Sequence, residues 1–232
     1  MNILNKLLNR FRSARYMRRS YSQCGEDLII QFIFDNLVGK SKVTYMDLGA
    51  FHPFKYNNTY LAYLRGGRGI NVDANPLSIQ QFRKWRPRDT NVNAGVGTTS
   101  GTMPFHVMAK SELNTFSEPE AKRMAANEGV PILKIIPVEV RTFGQLLEQY
   151  SPGRTPDLLS IDVEGLDLQI VQSIDFSVHK PDVICVETIR FSSSAVVQKE
   201  AGIVDHLKEC GYYHHSDTLI NSIFLQRKYL KS

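Results

Sequence analysis

The stretch DLLSIDVEGLDLQI, residues 157 to 170, sets Asp162 and Glu164 two positions apart at the exit of a short apolar run, Leu158, Leu159 and Ile161, and closes them with Gly165. An apolar run of that length reads as a buried strand. Carboxylates at the end of such a strand are costly unless they are paired, hydrogen-bonded or in use. Further acids stand in equivalent places: Asp47 after VTYM, Asp73 after GINV, and Glu187 at the end of PDVICVE. Gathered together, such groups can accept hydrogen bonds from hydroxyls or hold a cation. Where one carboxylate raises the pKa of another, they can also take a proton from a substrate. The plainer alternative is local: Glu164 caps a helix starting near Gly165, and Asp162 holds a backbone amide.

The elements that must position these groups alternate in type. VTYMDLGA (43–50), GINVDA (69–74), NVNAGVG (91–97), DLLSID and PDVICVE (181–187) read as strands. A helix is expected from Glu26 to Leu37, others over 58–67 and from Pro76 through Trp85, and further ones in TFGQLLEQY, GLDLQIVQSI and VVQKEAGIVDHLKECG. MPFHVM and KIIPVEV read as extended segments flanking a polar insertion near 108–130, and YYHHSD with NSIFLQRK as a closing antiparallel pair. This pattern predicts an α/β, Rossmann-like architecture: one central, mostly parallel sheet of about seven strands with helices on both faces. In such sheets ligands sit outside the carboxyl ends of the strands, where the acids lie.

The first turn, DLGAFHP, has one glycine where the dinucleotide fingerprint needs three, which argues against a nicotinamide or flavin cofactor. A nucleoside without a pyrophosphate needs only one close backbone approach, which Gly49 permits. A carboxylate at Asp73 can accept from both hydroxyls of a ribose. Adenosine across the first two strand tips fits S-adenosylmethionine. The competing account has Asp47 and Asp73 capping helices or pairing with Arg65 or Arg68.

SQCGEDLIIQFIF, YMDLGAFHPFKYNNTYLAYLRGGRGINVDANP, FRKWRPRD, LLSIDVEGLDLQIV and NSIFLQRK, in this order over roughly residues 20 to 227, resemble the FkbM family of S-adenosylmethionine-dependent methyltransferases. The resemblance implies a class I methyltransferase fold and methyl transfer mostly to oxygen, often on sugars, with S-adenosylhomocysteine as product. It places Asp47, Gly49 and Ala50 in the first cofactor motif, Asp73 and Asn75 on the ribose and adenine side, and Asn93 and Ala94 against the adenine. Gln23, Glu26 and Asp27 of SQCGED would help to cover the cofactor. Asp162, itself beside the cofactor's methyl group, and Glu164 are the first candidates for the chemistry, with Glu187 and His52 second. A divalent metal on Asp162, Glu164 and Glu187 is the less favoured use of the cluster, and no residue is assigned as a metal ligand. N-methylation of an amine or phosphoramidate-type group is the alternative transfer; a non-catalytic binding or scaffold protein that keeps the fold is the alternative to an enzyme.

Charge and composition bound the partners. The formal net charge is +5, yet residues 1–20 hold Lys6, Arg10, Arg12, Arg15, Arg18 and Arg19 and no acid. Beyond them 22 basic residues face 23 acidic ones. A body without a basic face argues against nucleic acid. Ile3, Leu4, Leu7, Leu8 and Phe11 make one stripe of an amphipathic helix in this basic arm. The stripe suits an anionic membrane surface, the chain's own domain, or the second subunit of a homodimer. Three widely spaced cysteines without a CxxC fit a cytoplasmic protein. The expectation is therefore a methyltransferase domain over 21–232 behind an arm at 1–20, acting on a sugar or glycan acceptor in the cytoplasm, at the inner face of the membrane if the arm binds lipid.

Overall fold

The computed structural model describes residues 14–163, 165–190 and 198–230. The apolar stripe of the basic arm and Glu164 lie outside these residues.

The strands β1 (Thr44–Leu48), β2 (Arg68–Asp73) and β3 (Thr90–Asn93) run parallel, and β4 (Gly95–Val96) follows directly. Then come β5 (Gly101–Met108), β6 (Ile132–Arg141), β7 (Leu158–Ile161), β8 (Val183–Glu187), the short β9 (Ile189–Arg190) and β10 (Gln198–Lys199), and finally β11 (Tyr212–Asp217) and β12 (Asn221–Gln226). The central sheet has the order β11-β12-β8-β7-β1-β2-β3; β12 alone runs against the rest, antiparallel to both of its neighbours, β8 and β11. The chain order reverses between β1 and β7, and their adjacent carboxyl ends open the crevice typical of such sheets.

The helices are α1 (Glu26–Ile33), α2 (Tyr60–Leu64), α3 (Pro76–Trp85), α4 (Glu118–Asn127), α5 (Phe143–Tyr150), α6 (Asp167–Ser173) and α7 (Ala201–Glu209). Successive strand residues point to opposite faces. Tyr45, Leu158 and Cys185 pack with Ile30, Ile33 and Tyr63 from α1 and α2. Met46, Leu159 and Ile184 pack with Leu146, Ile170 and Leu207 from α5, α6 and α7. Burial of both faces explains why the parallel strands are nearly continuous apolar runs. The helix ends carry ordinary signals. Pro76 opens α3 behind the cap Asn75, and Thr142 with Gln145 forms a capping box on α5.

The third strand expected in 91–97 ends at Asn93, and its exit forms β4, which joins β6 and β5 in a second sheet, where Gly95 leaves room for the Phe116 ring. One expectation is corrected. The helix expected to begin at VVQKE starts only at Ala201, because Gln198 and Lys199 pair with Arg190 and Ile189. The Lys199 ammonium also reaches the Thr188 hydroxyl and Asp217. Between β5 and β6, residues 109–131 contain α4, whose Ala121 and Met124 pack with Met108 and Val130 in a small core of their own. Among the described residues, no helix is long and apolar enough to cross a membrane.

Candidate active site

Parallel register places Asp47 beside Ser160 and Asn71, and Asp73 beside Asn93. The tips of β1, β2 and β7 therefore converge on one cavity of about 960 Å³ of empty space, counting its open mouth. Asp47, Asp73 and Asp162 are its strand-tip acids, with Glu112 a further acid of the lining; Ala94, Val96, Phe105 and Phe116 form an apolar wall, and Gln23 also lines it. Of the residues singled out in the sequence, the structure thus brings together Gln23, Asp47, Gly49, Ala50, Asp73, Ala94 and Asp162.

The three strand-tip carboxylates are held differently. Asp47 Oδ2 accepts from the Thr59 hydroxyl at 2.8 Å and the Asn57 amide at 3.1 Å. Burial pushes its carboxyl up, and Arg86 with these donors offsets only part of that, so the net shift is upward. Asp73 accepts backbone N–H groups from Phe51 and Asn75, both at 2.7 Å. Burial is the main reason its carboxyl is raised to about 6; those amides oppose the shift and the Asp47 charge adds to it. The Asp162 carboxylate has no hydrogen-bond partner among the described residues, although its own N–H donates to Leu48 O at 2.9 Å. Burial first, then the charges of Asp167, Asp47 and Asp73, lift it to about 7. A carboxyl poised near neutrality and facing open space is suited to accept a proton.

Gly49 has a closer neighbour than any ligand. At φ +78°, its missing Cβ would lie 1.7 Å from the Asp162 carbonyl oxygen, so glycine lets the tips of β1 and β7 close on each other. Asp167, which the sequence reading did not single out, fixes the turn after β7. Its carboxylate accepts the N–H groups of Val163 and Gly165, at 3.0 and 3.2 Å. The capping role considered for Glu164 lies outside the described residues, while the amide-holding task considered for Asp162 is thus taken by Asp167. The i,i+2 and i,i+4 spacing back to Gly165 and Val163 was its available signal.

Other candidates lie apart from the cavity. Glu26 is buried under the N-terminal segment, where its carboxylate accepts from the Cys24 amide (2.8 Å), the Thr218 hydroxyl (2.6 Å) and the Asn221 amide (3.1 Å). Burial alone would raise its pKa, but these donors outweigh it and the net shift is downward. Asp27 binds the stretch before it, accepting from the Ser20 and Ser22 hydroxyls and the Tyr21 amide. Both acids thus steady Gln23 at the cavity rather than cover a ligand themselves. Asn75 caps α3 through the Leu77 amide. Asn93 donates to the carbonyls of Asp73 and Ala74. His52 Nδ1 accepts from the amides of Phe54 and Lys55, closing its own turn, and burial followed by the Lys55 charge lowers its pKa.

Glu187 is turned toward a second cavity, which it shares with Asp167, Gln169 and Glu200; Phe116 and Ser117 form the partition side. Phe116 lines both cavities. Among the described residues, no group of three or more His, Cys, Asp or Glu side chains is arranged to hold a metal ion.

A profile of the methyltransferase FkbM domain matches residues 47–213, which hold the end of β1, all of β2, β3, β7 and β8, and the strand-tip acids Asp47, Asp73 and Asp162. No curated protein matches the chain. Among solved structures, it is similar to methyltransferase FkbM from Methylobacillus flagellatus KT, at 13% identity and a TM-score of 0.47. The match covers 91% of this chain and 49% of that one, so the chain spans about half the length of that protein. A TehB-like SAM-dependent methyltransferase from Corynebacterium glutamicum aligns at 11% identity and a TM-score of 0.42, over 96% of this chain and 97% of its own. Phosphoethanolamine N-methyltransferase 1 from Haemonchus contortus, solved with phosphoethanolamine and S-adenosylhomocysteine, aligns at 11% and 0.41, over 96% of this chain and 44% of its own.

Proposed function

Because this chain belongs to the FkbM methyltransferase family, we propose that it binds S-adenosylmethionine in the cavity at the tips of β1, β2 and β7 and methylates a hydroxyl of a carbohydrate. The observation that carries the reading is the division of labour among the acids. Asp47 and Asp73 are fixed by donors, whereas Asp162 faces the cavity without a partner among the described residues.

The residues present suit the cofactor. Asp73 keeps lone pairs free for a ribose diol while two backbone amides hold it in place. The Ala94, Val96 and Phe105 wall offers an apolar slot for a base. Asp47 and Asp162 give an anionic setting for a ligand that carries an ammonium and a sulfonium. Bound there, the cofactor supplies an activated methyl group. Asp162 accepts the proton of the incoming hydroxyl, and the turn held by Asp167 keeps it aligned; alignment and proton removal are the main demands of such a displacement. The second cavity, beyond Phe116, is the approach for the acceptor. The alternative transfer is to an amine, on an approach lined by Glu120, Asp167, Glu187 and Glu200. Membrane contact through the arm at 1–20 remains part of this proposal as the means of bringing the domain to a surface glycan.

The test is calorimetric titration with S-adenosylmethionine and S-adenosylhomocysteine, wild type beside Asp73→Ala, followed by hydroxyl- and amine-bearing sugars as acceptors. Micromolar binding that the variant loses supports the cofactor site. A wild type that binds neither nucleoside refutes it.

A further inference from the structure

Arg86 is the largest fully buried side chain of the chain, and it lies just past the end of α3, remote in sequence from every acid of the cavity. Its guanidinium sits among the rings of Tyr45, Tyr63 and Phe82, at 5.1, 5.2 and 5.3 Å from their centroids. Nε donates to Asp89 Oδ2 at 2.8 Å, and both side chains are completely shielded from solvent. A pair so placed is expensive unless every donor is used. The remaining donors go forward: Nη1 to Asn57 Oδ1 at 3.1 Å, and Nη1 and Nη2 to Thr59 Oγ1 at 3.1 and 3.0 Å.

Those two residues are the ones that donate to Asp47 Oδ2. A guanidinium can only donate. The Thr59 hydroxyl keeps one proton to give, with Asp47 Oδ2 at 2.8 Å and Asn57 Oδ1 at 3.0 Å as its acceptors. The Arg86 N–H on Asn57 Oδ1, together with the Thr59 amide at 3.0 Å, orients that side chain with its NH₂ toward Asp47. The arginine's donors therefore lead to the carboxyl through both residues, and the Thr59–Asn57 contact ties the two routes together.

We propose that Arg86 is a positioning residue that acts through Thr59 and Asn57 to hold the Asp47 carboxyl in one orientation toward the cofactor's methionine end. The inference rests on the cofactor site proposed above and deepens it: the control of Asp47 is assigned to Arg86. It also gives the otherwise unassigned FRKWRPRD segment a task in binding.

The test compares S-adenosylhomocysteine with 5′-methylthioadenosine, which keeps the adenosine and lacks the amino-acid end. Thr59→Val keeps the shape and removes the hydroxyl. It is expected to lower affinity for S-adenosylhomocysteine by about tenfold, the worth of a charge-assisted hydrogen bond, and to leave affinity for 5′-methylthioadenosine within about twofold. Thr59→Ser restores the first value. Added to Asp47→Asn, Thr59→Val causes no further loss, because both act at one contact. Asn57→Ser, which removes the second donor and spares the Arg86–Asp89 pair, is the companion variant, with the same asymmetry between the two ligands expected. Equal losses for both ligands, or no loss for S-adenosylhomocysteine, overturn the relay. A wild type that binds neither ligand overturns the cofactor site itself, and the relay with it.

Discussion

Replacing Gly49 by alanine tests whether the tips of β1 and β7 must touch. The added Cβ would stand 1.7 Å from the Asp162 carbonyl oxygen and 2.7 Å from its carbon. Both atoms are backbone, so no side chain can swing aside, and the two tips must part by roughly 1.7 Å to reach ordinary contact. Three hydrogen bonds meet there: Gly49 N–H and Ala50 N–H to Val72 O, each 3.0 Å, and Asp162 N–H to Leu48 O, 2.9 Å. At about 1 kcal/mol each, and with about 1–2 kcal/mol for an alanine in the left-handed region, the loss is roughly 4–5 kcal/mol. For a domain of this size that lowers Tm by roughly 8–20 °C. Gly165→Ala is the internal control. Its φ is +98°, but nothing lies within 4 Å of the added carbon, so only the conformational cost applies, a drop of roughly 2–8 °C. Differential scanning calorimetry and urea titration of the two variants measure the contrast. If Gly49→Ala costs no more than Gly165→Ala, the close approach is not holding the site together.

Asp162→Asn is expected to cut the methylation rate by about 10²–10⁴ while affinity for S-adenosylhomocysteine changes little. The wild-type rate should climb as pH rises through about 7, where Asp162 ionises, and the residual rate of the variant should be flat there; a variant with an unchanged profile would remove Asp162 from the proton's path. Stability of the free protein carries the same signature with a definite sign. A carboxyl whose folded pKa is raised stabilises the fold at low pH, and that contribution is lost as pH rises through the folded pKa, here about 6 for Asp73 and about 7 for Asp162. His52, His214 and His215, all with lowered pKa, act in the opposite sense. The difference between wild type and Asp162→Asn isolates the carboxylate: the variant should be the more stable near pH 8 and the gap should close toward pH 5.5, which melting curves across that range would confirm or contradict.

The strand tips were readable in the sequence because a buried parallel strand is an apolar run with a punctuated end, and topology then sends all such ends to one edge. Asp47, Asp73 and Asp162 meet for that reason. The direction of a side chain past the tip was not readable. Glu187 ends its strand much as Asp47 does, yet faces the other cavity. Asn75 and Asn93, placed at the tips as expected, spend their polar groups on a helix cap and on neighbouring carbonyls. Arg86 was hidden for a different reason. Asp89 is only three residues on, but Asn57 and Thr59 belong to a distant segment, and in the sequence Arg86 stands in a surface-like run of arginines and lysines. Burial of a charge is a tertiary fact, and no local periodicity announces it.

The 111–116 segment is tied to the strand beside it. Thr115 exchanges backbone hydrogen bonds with His106 on β5, and the Asn114 side chain accepts the Met108 amide at 2.8 Å. This side of the cavity is a wall stitched to a strand, and Phe116 stands at its end. Gln23 and Tyr56, by contrast, line the cavity as exposed side chains. A wall held by a strand keeps its shape when the cavity fills, so adjustment to an occupant falls to the exposed lining at Gln23 and Tyr56.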